Sequence, residues 1–98
     1  MDDDTQFEWD EIKADANYRK HGVDFETATE AFADYFSVES FDPFSAAYDE
    51  DRFLITGFAG GQLVTVVYTE REGNIRLISA RRASRRERDD CYRQNSQE

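Results

Sequence analysis

From Leu63 to Arg82 the chain reads LVTVVYTEREGNIRLISARR, with arginine, tyrosine and glutamate interleaved among aliphatic residues. Those polar types bind anions and move protons. The guanidinium groups of Arg76, Arg81 and Arg82 suit two-point recognition of phosphate or carboxylate. Tyr68 and Glu70, two apart on a strand, share a face and offer a phenol and a carboxylate for proton transfer. Polar groups held on a strand are either paired or used. Earlier in the chain, Lys20 and His21 precede Gly22 at the expected end of a helix, where cations meet the helix dipole. That position explains both structurally. One His and one Cys among 98 residues give no metal cluster, and no cofactor is expected.

The elements that must position these groups follow from spacing. Asp10 and Asp24 are N-cap candidates before Glu11–His21 and before a run in which Phe25, Ala28, Phe32 and Tyr35 or Phe36 recur at helical spacing. Gly22 ends the first helix. The period then becomes β-like over Tyr35–Phe41, Arg52–Phe58, Leu63–Thr69 and Ile75–Ala80, with turns at Asp42-Pro43, Ala59-Gly60-Gly61 and Glu72-Gly73-Asn74. Ser84 and Glu87 form a capping box opening a last helix to about Asn95. The expected fold is α+β: two N-terminal helices, a four-stranded antiparallel sheet and a C-terminal helix.

Residues 7–95 are expected to be one domain, preceded by a disordered acidic lead over 1–6 and followed by a frayed tail over 96–98. With no long apolar run and an acidic start, a soluble cytoplasmic protein is expected, with no membrane contact. Cys91 reads as a packing residue.

Two alignments of the final hairpin remain open. A two-residue turn at Gly73-Asn74 sets Glu70 opposite Leu77 and Val66 opposite Arg81, whereas a three-residue turn sets Glu70 opposite Arg76. Plain alternation puts Arg76 and Arg82 on one face and Arg81 on the other, unless the strand twists or bulges.

The net charge of −10 is unevenly placed. Residues 1–51 carry 16 acids and 3 bases, while residues 52–98 carry 6 acids and 9 bases. Eight arginines fall between Arg71 and Arg93 against four acids, so anions are drawn to the second half and repelled by the first.

Two blocks of residues resemble the BrnT toxin family. The first is FEWDEIKADANYRKHGVDFETA, with Phe7, Trp9, Asp10, Lys13, Asn17, Lys20, His21, Gly22, Val23, Phe25 and Ala28 at the motif positions. The second is VVYTEREGNIRLISARRASRRER, with Ile78, Ser79, Ala80, Arg81, Ala83 and Glu87. The resemblance implies a RelE-like fold and a ribonuclease that arrests translation, held inactive by a BrnA-like antitoxin with a ribbon-helix-helix domain. Operator DNA would be reached only through that partner. It further implies RNA cleavage without metal, in which the neighbouring 2′-hydroxyl attacks the phosphate. Arg81 would then offset phosphate charge, with Tyr68, Glu70 and His21 as proton-handling candidates and Lys20, Arg76 and Arg82 as substrate-binding candidates. Tyr68 stands where many relatives carry a His, so a phenol replaces imidazole there. The competing reading of Arg81 is a surface arginine paired with Glu70 or Glu87. The competing function is a non-catalytic module of the same fold that holds a ribbon-helix-helix partner and acts as co-repressor.

Overall fold

Asp10 and Asp24 each fold their carboxylate onto the first turn of a helix. Asp10 accepts from the backbone N–H of Ile12 and Lys13, and Asp24 from that of Thr27. These caps open α1 (Glu11–His21), which ends at Gly22, and α2 (Phe25–Ala28), which tightens into a 3₁₀ turn over Thr29–Ala33. The strands are β1 (Phe7–Glu8), β2 (Val38–Phe41), β3 (Phe53–Ala59), β4 (Gln62–Arg71) and β5 (Asn74–Arg82). A 3₁₀ turn at Ser45–Tyr48 follows β2, and α3 (Arg85–Asn95) follows β5. The structure is a computed structural model and describes residues 5–96. Residues 1–4 of the acidic lead and 97–98 of the tail lie outside the described residues.

The fold is α+β, as the spacing implied, but the sheet has five strands in the order β1-β5-β4-β3-β2 and is mixed rather than purely antiparallel. Phe7 and Glu8 run parallel to Ile75 and Arg76, and the carbonyl of Gln6 accepts from Ile75 N–H. Two residues are too few to show a period, which is why the sequence reads as four strands. The second helix is also shorter than its apolar spacing suggests. A Cβ on Gly57 would lie 2.8 Å from the Ala31 carbonyl oxygen, so the turn after α2 presses directly on β3. The chain leaves that contact through Asp34, whose carboxylate takes the N–H of Phe36 and of Phe58. Tyr35 to Ser37 form a turn, and β2 begins at Val38 rather than Tyr35.

Next to its turn the last hairpin takes neither of the two expected alignments, whereas from Val67↔Ser79 onward it has the register expected for the three-residue turn. Its turn is Glu72-Gly73, with φ of 53° and 82°, so Arg71 pairs with Asn74 and Glu70 with Ile75. Between Tyr68↔Leu77 and Val67↔Ser79 the register shifts by one, leaving Ile78 as a bulge. Cross-strand partners share a face. Arg76 and Arg81 therefore lie on one face, opposite Thr69 and Thr65, while Arg82 lies on the other, opposite Val64.

One face carries the main core, where Phe25, Phe32 and Val23 cover Ile55, Val66 and Leu77. A row of rings crosses it from Phe41 through Phe53, Tyr68 and Phe32 to Phe7, with centroids 4.9–5.7 Å apart. On the other face α3 crosses one end of the sheet, packing Cys91 against Leu63, Ala83 and Val38. The buried side chain of Asn17 joins α1 to β5: its Nδ2 donates to the carbonyls of Ala80 (2.8 Å) and Val23 (3.0 Å), and its Oδ1 accepts from Ala80 N–H (3.1 Å).

Asn17→Ala strands three buried backbone groups. It is expected to cost about 2–4 kcal/mol, read in urea unfolding as a lower midpoint with an unchanged slope.

Candidate nucleic-acid interface

β5 runs from Asn74 to Arg82 and β4 runs the opposite way, so the sheet has two chemically different ends. Glu70, Arg71 and the segment around Asp51 lie at one end, where the Thr69 hydroxyl donates to the Asp51 carbonyl. Arg81, Arg82 and the first turn of α3 lie at the other. α1 is oriented by its contacts with β5: Asp10, at its start, lies near enough to Arg76 to feel its charge, and Asn17 grips Ala80. Its C-terminal residues Lys20 and His21 thus come to the same end as Arg82. Asp51 and its neighbour Glu50 thus lie toward the first end, and Arg82 and Arg88 toward the second.

At the basic end Glu87 is the organising anion. Its two carboxylate oxygens accept from both terminal nitrogens of Arg81, at 2.7 and 3.0 Å. Oε1 also accepts from Thr65 Oγ1 (3.0 Å) and Ser84 N–H (2.8 Å), and the Ser84 hydroxyl completes the capping box by accepting from Glu87 N–H. The Thr65 proton goes to Glu87, so the hydroxyl contact between Thr56 and Thr65 (2.8 Å) has Thr56 as donor. Burial alone pushes the Glu87 carboxyl up, but the hydrogen bonds from Arg81, Ser84 and Thr65, with the Arg81 charge, hold it down at about 2. The Glu87 hydrogen bond in turn raises Arg81 above its ordinary value, against the effect of burial.

The remaining sequence candidates fall elsewhere. Arg76 pairs with Glu8 at 2.8 Å, and Asn74 Nδ2 donates to the same carboxylate. Those hydrogen bonds, Asn74 first, hold the Glu8 carboxyl below its usual range. Tyr68 is 4% exposed and lies in the ring row on the main core face. Burial, then its donated hydrogen bond to Glu39 Oε2 (2.8 Å), pushes its phenol well above the usual range. Glu70 is exposed at the acidic end, two residues along β4 from Tyr68. Of the seven candidates, the structure brings Arg81, Arg82, Lys20 and His21 to one end of the sheet. It leaves Tyr68, Glu70 and Arg76 away from them.

A groove of about 280 Å³ opens at the basic end between the start of β4 and α3, lined by Phe58, Gln62, Leu63, Arg82, Ala83, Arg88 and Tyr92. Among the described residues neither Arg82 nor Arg88 has an ion-pair partner, and Arg85 and Arg86 are exposed beside them. Phe58 is 49% and Tyr92 59% exposed. The carboxylates of Asp34 and Glu30 accept from the backbone N–H groups of Phe58 and Gly60. Guanidinium groups beside open rings bind phosphate and stack on bases, the pairing that holds single-stranded nucleic acid. Arg88, Tyr92 and Phe58 are absent from the sequence candidates. The available signal was the i, i+4 spacing of Arg88 and Tyr92, one position round the helix from the half-buried Glu87 and the buried Cys91. Among the described residues no three metal-ligating side chains converge, and no helix is long and apolar enough to cross a membrane.

A family model described as "Ribonuclease toxin, BrnT, of type II toxin-antitoxin system" matches residues 9–87. That span holds all seven sequence candidates and stops one residue short of Arg88. Comparison with curated proteins gives no match.

Because Glu87 has a lowered pKa, its contribution to stability is complete above the unfolded value of 4.5 and is lost as pH falls from there toward 2. Solvent reaches the pair, so the gain over Glu87→Gln is expected to be only about 1 kcal/mol near neutral pH. Urea midpoints of the two proteins should converge as the pH is lowered through that window.

Proposed function

This chain belongs to the BrnT family of ribonuclease toxins of type II toxin-antitoxin systems, and from that premise we propose that it cleaves RNA held in the groove at the basic end of its sheet. Arg82 and Arg88 take neighbouring phosphates, and Phe58 and Tyr92 stack on the bases between them. The attacking 2′-hydroxyl displaces the 5′-oxygen of the next nucleotide and leaves a cyclic phosphate. Arg82 offsets the charge that gathers on phosphorus, with Arg81 behind it on the adjoining strand position. His21 takes the proton of the 2′-hydroxyl, water supplies the proton that the departing 5′-oxygen needs, and Lys20 adds positive charge at the same end of the sheet. Tyr68, enclosed by Phe32 and Phe53 and bonded to Glu39, stabilises the sheet rather than touching substrate.

The observation that carries this reading is the groove itself, in which two arginines without carboxylate partners among the described residues flank two open rings. The acids of the first half bear on orientation. Several of them stand at the far end of the strands, so an approaching polyanion is turned toward the arginines. The finer identity of the partner follows the family resemblance: a BrnA-like ribbon-helix-helix antitoxin that neutralises the toxin in the cytoplasm and carries it to operator DNA.

A second reading has its own support. Arg76 and Arg81 are already neutralised by Glu8 and Glu87, as they would be in a module that binds its antitoxin and cleaves nothing.

RNA integrity and RNA binding separate the two readings. The purified chain is expected to cleave single-stranded RNA, and Arg82→Ala/Arg88→Ala to abolish cleavage while remaining folded. The double variant should also flatten the dependence of log affinity on log salt by about 1.4, roughly 0.7 for each phosphate that is no longer held. Tyr92→Ala should weaken binding by about 1–3 kcal/mol at every salt concentration. Intact RNA after incubation with the unaltered chain leaves the binding module.

A further inference from the structure

We infer that the acidic end of the sheet, along the free edge of β2 and the turn that follows it, seats a cationic segment of the antitoxin laid down as an added strand. The inference rests on the toxin-antitoxin reading above and assigns that partner a surface distinct from the RNA groove. β2 pairs only with β3, so the hydrogen-bonding side of Val38–Phe41 that faces away from β3 is open to another backbone. Beside it, Phe41 is 56% and Phe44 69% exposed, large rings left facing solvent immediately next to an open edge.

The chemistry of the occupant follows from what borders those rings. A groove of about 560 Å³ has Phe41, Pro43 and Ala46 among its lining, together with the carboxylates of Asp49, Glu50 and Asp51. An adjoining groove of about 290 Å³ shares Glu50 and Asp51 and adds Glu70, with Arg71 as its one cation. Nearby Glu39 and Asp42 are committed to Tyr68 and Arg52, but Asp49, Glu50, Asp51 and Glu70 have no ion-pair partner among the described residues. The apolar wall and the unpaired carboxylates therefore match a strand that alternates lysine or arginine with aliphatic residues. A second copy of this chain fits poorly, because its own β2 margin is acidic and brings no cations to these carboxylates.

The probes are two short synthetic peptides, one alternating lysine with valine and one alternating glutamate with valine, titrated into the isotope-labelled full chain. The lysine peptide is expected to shift backbone amide resonances of Val38–Phe41 and of residues 44–51 and to leave those of α3 in place. The glutamate peptide should shift neither set. Phe44→Ser and Glu50→Gln/Asp51→Asn, all at exposed positions, should each weaken the lysine peptide by about tenfold, and the second should also reduce its sensitivity to salt. Hydrogen exchange on the toxin-antitoxin complex should be slowed at Val38–Phe41. Absence of shifts at the β2 edge, equal binding of both peptides, or protection confined to Arg82–Tyr92 overturns the inference. A concentration-dependent dimer abolished by Phe44→Ser also overturns it and makes the edge a self-interface. RNA cleavage by the same variants is expected to equal that of the unaltered chain. Loss of cleavage in the unaltered chain with peptide binding retained would refute the nuclease reading and leave the docking surface standing.

Discussion

Both backbone groups of Ala80 are bonded to one side-chain amide, that of Asn17, and the arrangement of the site depends on that bond pair. β1 satisfies the outer edge of β5 only at Ile75 and Arg76, so the later residues need another source of hydrogen bonds. Asn17 supplies them by presenting an acceptor and a donor with the spacing of a neighbouring strand. The grip also sets the direction of α1 along β5. Lys20 and His21 reach the arginine end for that reason, and not through any preference of their own. The same bonds hold β5 just beyond its bulge, where the one-residue shift decides that Arg76 and Arg81 share a face and Arg82 does not.

Glu87 plays the corresponding part on the second face. One carboxylate caps α3, holds Arg81 at two points and ends a hydroxyl relay from Thr56 through Thr65. The helix that lines the groove is thus fixed to the sheet by the partner of the arginine that the sequence singles out. Arg81 acts on the groove mainly by holding its wall, whereas Arg82, one residue later and on the opposite face, projects a guanidinium that the fold has not committed. Neighbouring arginines of one strand thus differ, one held by Glu87 and the other without an ion-pair partner among the described residues, because alternation alone sends them to different surroundings.

What was legible in the sequence was local. Asp10, Asp24, Gly22 and the Ser84–Glu87 box act within a few residues of themselves, and helix limits followed from them closely. The pairing of Arg81 with Glu87 was present among the alternatives, since both flank the capping box. The parts that were not legible depend on contacts distant along the chain. β1 is a strand only because β5 lies beside it, and the shortened second helix reflects the approach of Ala31 to Gly57. The Ile78 bulge accommodates packing on two faces at once, and no turn residue marks it. Tyr68 looked available because a tyrosine on an alternating strand is compatible with either face. Its burial depends on Phe32 and Phe53, which come from different elements. The groove escaped notice because Phe58 and Tyr92 are far apart in sequence and each alone is an ordinary surface ring.

The way the two margins of the sheet are finished has a bearing on how this chain behaves at high concentration. Extension of a sheet from molecule to molecule needs two compatible borders, one to receive a strand and one to offer the next. Here, among the described residues, the border on the β5 side is the two-residue β1, with the Asn17 amide on Ala80 beyond it, while β2 on the opposite side offers four residues. A molecule that accepts a visitor at β2 therefore has only a two-residue border to pass on. So short a border disfavours growth by strand addition without shielding the one that β2 keeps open.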